Sequence, residues 1–130
     1  MANAPGRILL VDDEPSLLKM MQMYLRRMGH EVTVASTTEQ AWAQIQAASD
    51  GFSGVVLDAT MDGMSMDELA RRILSADPQV FVIAASGYPM DMSSLESSAP
   101  GRVLFLHKPF APETLAGTIR RMLAAQEEKL

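Results

Sequence analysis

Arg7-Ile8-Leu9-Leu10-Val11-Asp12-Asp13 reads as a short apolar strand that stops abruptly in two carboxylates. Such a run, without polar alternation, suits a strand covered on both faces, which is how strands sit in parallel sheets. The same shape recurs along the chain: residues 55–57 stop at Asp58, residues 80–85 run up to Ser86, and residues 103–106 lead to His107 and Lys108. Residues 31–35 alternate instead, as a half-covered edge strand would. In an open parallel sheet the strand tips converge on the carboxyl edge, where ligands bind. Asp12, Asp13, Asp58 and Lys108 therefore read as one polar site on an apolar scaffold.

Between these runs the apolar residues follow helical spacing. Leu17, Met20, Met21, Leu25 and Met28 form one stripe, Ala41, Ile45 and Ala48 a second, Leu69, Ile73 and Leu74 a third, and Leu115, Ile119, Met122 and Leu123 the last. Punctuation agrees: Pro15 and Pro112 can open helices, and Thr37 with Gln40 and Ser65 with Glu68 have capping-box spacing. The segment 90–99, rich in serine and bracketed by Pro89 and Pro100, predicts only a short, loosely held helix. Strand and helix thus alternate about five times, which implies right-handed crossovers. The predicted fold is an α/β doubly wound parallel sheet, (βα)5, with the flavodoxin-like strand order 2-1-3-4-5. All 130 residues read as one domain with a core over about 7–123, and residues 1–6 and 124–130 read as flexible ends.

Composition narrows the function. Cysteine is absent, which excludes disulfides and thiolate metal sites and points to a reducing, cytoplasmic setting. A formal net charge of -5 argues against a surface dedicated to nucleic acid, leaving a protein or a metal as partner. No apolar stretch approaches bilayer length and the first residues lack a signal-peptide core, so no membrane association is expected.

With the first and third strands adjacent, Asp12, Asp13 and Asp58 would lie within a few ångströms of one another. Three ionised carboxylates at that spacing repel, and the arrangement calls for a proton or a cation between them. Oxygen ligands with room for water suit Mg²⁺.

Leu10-Val11-Asp12-Asp13-Glu14, Leu57-Asp58, Ala85-Ser86-Gly87 and Lys108-Pro109-Phe110, in this order and at these strand ends, closely resemble the receiver domains of two-component response regulators. The resemblance runs from about residue 7 to residue 123. It implies that Asp58 is the phosphoacceptor, taking a phosphoryl group from a phosphohistidine of a histidine kinase or histidine phosphotransfer protein. Asp13, Asp58 and the backbone carbonyl of Thr60 would bind Mg²⁺ directly, with Asp12 acting mainly through a metal-bound water. Lys108 would offset phosphoryl charge, Ser86 would donate its hydroxyl to the attached group, and Phe105 would turn inward as the switch. A cis Lys108–Pro109 bond is also implied. The output would pass through the face of the fourth helix, fifth strand and fifth helix to a downstream protein target, from a monomer or weak dimer. Such a domain is a regulatory phosphoacceptor rather than an enzyme.

The loop after the acceptor departs from the family pattern: Asp62 stands where proline is usual and Met66 where glycine is usual. Asp62, with Thr60 and Tyr88, is expected to tune phosphoryl lifetime. Met1 favours a free-standing receiver over a segment of a hybrid histidine kinase or longer regulator. A phosphatase of the haloacid dehalogenase type is disfavoured, because it needs a second aspartate where Thr60 stands. Trp42 reads as packing, and His30 and His107 as neither donor nor ligand.

Overall fold

The computed structural model of the protein describes residues 6–48, 50–59 and 65–128. Five strands, β1 (Arg7–Val11), β2 (Glu31–Ala35), β3 (Gly54–Asp58), β4 (Phe81–Ser86) and β5 (Val103–His107), alternate with five helices, α1 (Pro15–Arg27), α2 (Thr38–Ala47), α3 (Met66–Ala76), α4 (Ser93–Ser98) and α5 (Pro112–Glu128). All strand pairs are parallel and the order is β2-β1-β3-β4-β5, the doubly wound flavodoxin-like arrangement.

The side-chain period of two sorts each central strand onto two cores. Ile8, Leu10, Val56, Phe81 and Ile83 pack with Leu18, Met21 and Leu25 of α1 and Leu115 and Ile119 of α5. Leu9, Val11, Val55, Leu57, Val82 and Ala84 pack on the opposite face with Leu69 and Ile73 of α3, Ala41 of α2 and Leu95 of α4. Both faces of β1, β3 and β4 are thus dry, which is why their sequences show no alternation. One glycine is dictated by this packing. Gly54 pairs with Phe81 on the neighbouring strand, and a Cβ there would fall 2.1 Å from the Phe81 ring.

The helix ends behave as their sequences require. Thr37 Oγ1 accepts from the Gln40 amide at 3.0 Å and Ser65 Oγ from the Glu68 amide at 3.1 Å, each satisfying a first-turn donor. The Gln40 side chain returns to the amide of Ser36 rather than to that of Thr37. Helix α3 ends without a side-chain cap of its own, and Arg102 supplies one from the start of β5. Its guanidinium donates to the carbonyls of Leu74 and Asp77 at the end of α3 and of Val80 before β4.

Two boundaries differ from the sequence reading. Helix α5 continues to Glu128, past the expected core limit at 123, because Gln126 reaches back to the carbonyls of Ser53 and Gln79. Gly6, expected in a flexible end, is buried and donates its amide to His30 Nδ1 at 3.1 Å. The remaining terminal residues, 1–5 and 129–130, lie outside the described residues. Among the described residues no helix is long and apolar enough to cross a membrane.

Candidate functional site

The parallel register carries the polar residues to one edge. Val11 pairs with Leu57, Asp58 with Ala85, and Ser86 with His107, so Asp12, Asp58, Ser86 and Lys108 emerge side by side at the carboxyl ends of β1, β3, β4 and β5. One carboxylate oxygen from each of Asp12, Asp13 and Asp58 lies within 4.8 Å of the others. Asp12 and Asp58 are buried, whereas Asp13 is exposed at the mouth. Lys108 reaches in from β5 and sets its Nζ 3.0 Å from Asp12 Oδ2 and 3.5 Å from Asp58 Oδ2.

Backbone groups hold this cluster in place. The Glu14 amide donates to Asp12 Oδ1 at 3.0 Å, which leaves Oδ2 aimed at the lysine. The Lys108 amide donates to the Ser86 carbonyl at 2.8 Å, tying the two strand ends together. The Lys108–Pro109 peptide bond is cis. Burial by itself would lower the Lys108 pKa, but its hydrogen bond and charge contact with Asp12, and then with Asp58, outweigh that and raise it.

Ser86 is buried, and its Oγ accepts from the Tyr88 amide at 3.0 Å. A hydroxyl used as acceptor keeps its proton to donate, so the contact orients Ser86 without consuming it. Tyr88 itself is 72% exposed. Phe105 is half-buried on edge strand β5, on the face opposite the one where Leu104 and Leu106 pack, and hence toward α4. Thr60 and Asp62 lie outside the described residues. The Glu14 and Tyr88 amides were not singled out in the sequence, although an Asp or Ser two residues before a backbone donor is a recognisable turn signal.

Electrostatics define what the pocket can hold. Three carboxylates and one ammonium leave a formal charge of -2, confined between two buried strand ends and open on the Asp13 side. An all-oxygen donor set of that charge fits a small hard divalent cation.

The sequence model of the response regulator receiver domain matches residues 8–120. The chain belongs to that family. The receiver is 30% identical over 119 residues to the response regulator receiver protein CpdR of Brucella abortus, covering 92% of this chain and 98% of CpdR. It also spans 26% to 53% of the length of four longer regulators and 13% of a sensor kinase. Among solved structures, a CheY-like receiver domain from Methanospirillum hungatei superposes with a TM-score of 0.85 at 26% identity, covering 98% of this receiver and all of that chain. The response regulator TrrA of Thermotoga maritima, solved in complex with Mg²⁺ and beryllium fluoride, superposes with a TM-score of 0.75 at 28% identity, covering 89% of this receiver and 97% of TrrA.

Proposed function

We propose that this receiver is the phosphoacceptor of a two-component relay, with Asp58 as the acceptor. The juxtaposition of Asp12, Asp13, Asp58 and Lys108 in one pocket carries the reading. An Asp58 oxygen attacks the phosphorus of a phosphohistidine on a histidine kinase or phosphotransfer protein, and the phosphorus–nitrogen bond breaks with its electron pair returning to the imidazole. A carboxylate nucleophile needs alignment and charge neutralisation more than a base. Lys108, already 3.5 Å from Asp58, is placed to follow the charge onto the phosphoryl oxygens.

Asp13 and Asp58, with the Thr60 carbonyl, would hold Mg²⁺ directly, and Asp12 would bind through a water. The ion would supply further neutralisation of phosphoryl charge. Ser86 would donate its hydroxyl proton, left free by the contact with the Tyr88 amide, to the phosphoryl group, and Phe105 would turn inward behind it. A change of charge at the strand tips would thereby reach the α4-β5-α5 face, which meets a downstream protein target. Tyr88, Thr60 and Asp62 would tune the lifetime of the acyl phosphate. The absence of cysteine in the sequence supports a cytoplasmic setting.

Incubation with acetyl phosphate and Mg²⁺, followed by intact mass, tests this assignment. The native protein should gain one phosphoryl group and Asp58→Asn none. Equal modification of both would move the acceptor elsewhere, and turnover of p-nitrophenyl phosphate would favour a phosphatase instead.

A further inference from the structure

Helix α4 has only six residues, of which Ser93, Ser94, Ser97 and Ser98 are serine, and its start at Met92 has no side-chain cap. A helix of that length and composition has little stability of its own. Its apolar hold on the core is Leu95, with Ala99 and the half-buried Met92 at its ends. The polar contacts of its neighbours stay local: Ser93 bonds to Asp91, Ser98 Oγ to the Leu95 carbonyl, and Glu96 accepts from the Gly101 amide.

Ser94 differs. The Arg71 guanidinium crosses from α3 and donates to Ser94 Oγ. Its Nε is held at 2.8 Å by Asp67 Oδ2, one turn earlier on α3, so the fork is aimed at α4 before Ser94 is reached. Beside this contact a cleft of about 300 Å³, lined by Arg71, Leu74, Ser75 and Ser98, leaves α4 unsupported along part of α3. A lightly seated helix with open space beside it and one charged hydrogen bond across the gap is built to move.

We propose that the Arg71–Ser94 hydrogen bond is a clasp that holds α4 in its resting place and opens when the receiver is activated. Its part in activation rests on the phosphoacceptor reading of Asp58, whereas its hold on resting α4 does not. The connection is short in the chain: Ser86 ends β4, and α4 begins at Ser93. Exposure of Arg71 keeps the contact weak, which suits a bond that must break at modest cost.

Amide hydrogen exchange on the full chain, without phosphodonor, tests the hold. Ser94→Ala and Arg71→Ala should each speed exchange at residues 95–99 by about three- to tenfold while strand amides stay unchanged. Alanine is the better helix former, so a purely local role for Ser94 predicts slower exchange in Ser94→Ala, the opposite sign. The double variant should match the single ones, because both remove the same bond. Unchanged or slower exchange, or additive effects, would overturn the clasp. Titration with beryllofluoride and Mg²⁺ tests the coupling: each variant should bind more tightly by the factor seen in exchange, and equal affinity would sever the clasp from activation. If the native protein takes no beryllofluoride, the assignment of Asp58 fails, and the exchange data still judge the resting contact.

Discussion

Lys108 Nζ lies closer to Asp12 Oδ2, at 3.0 Å, than to Asp58 Oδ2, at 3.5 Å. The ammonium bridges two buried carboxylates and leaves the third, the exposed Asp13, to the solvent side. The lysine therefore offsets part of the repulsion at the strand tips, and Asp13 adds charge that it does not neutralise at close range.

Asp13→Asn should separate metal binding from the fold. Relief of repulsion is expected to stabilise the metal-free protein by about 0.5–1 kcal/mol, while affinity for Mg²⁺ falls at least about tenfold. Thermal unfolding with and without Mg²⁺ reads both effects. The native midpoint should rise with the ion, and that of the variant should begin higher and hardly move.

His30 should make stability depend on mild acid. Burial first, and then the charge of Arg120, lower its pKa below the usual 6.5, and its Nδ1 accepts from the Gly6 amide. The folded protein thus resists a proton that the unfolded chain takes up, so stability is full above about pH 6.5 and declines as pH falls through the region below it. His30→Asn keeps an acceptor without a titration and should flatten that slope. Urea midpoints across this range provide the measurement.

Arg102 should be worth more than a surface arginine. Its guanidinium serves three carbonyls, those of Leu74, Asp77 and Val80, and truncation would leave the end of α3 without these donors. Arg102→Ala is expected to cost about 1–3 kcal/mol, seen as a lower urea midpoint with an unchanged slope. Lysine carries the charge but not the fork, so Arg102→Lys should recover only part of the loss.

Gly54→Ala should destabilise although it adds only a methyl group. The new Cβ would meet the ring of Phe81, which is 1% exposed and cannot step aside. A cost of about 1–3 kcal/mol is expected, with Phe81→Leu in the same chain restoring part of it. A denaturant series on the single and double variants tests this.

The central strands were legible because burial on both faces erases polar alternation, whereas the strand order, expected as 2-1-3-4-5 and found so, is not written in that pattern. The apolar runs marked β1, β3, β4 and β5 to within a residue or two, and Asp12, Asp58, Ser86 and Lys108 marked their tips. What ran beyond them, such as Gly54 and His107 inside strands, was hidden because backbone pairing does not require an apolar side chain. The weak fourth helix was foreseen over 90–99 and is confined to Ser93–Ser98. Its tie to Arg71 carried no local signal.

Periodicity and strand-end chemistry, both local properties of the chain, by themselves determined the α/β architecture and the set of residues that could share a site. Only the tertiary structure decided which acid the lysine prefers, why residue 54 has no side chain, and that Arg102 caps a helix 28 positions away from it in the chain. Those contacts join segments remote in sequence, and their partners are selected by the register of neighbouring strands and the docking of helices, which no single stretch of residues encodes.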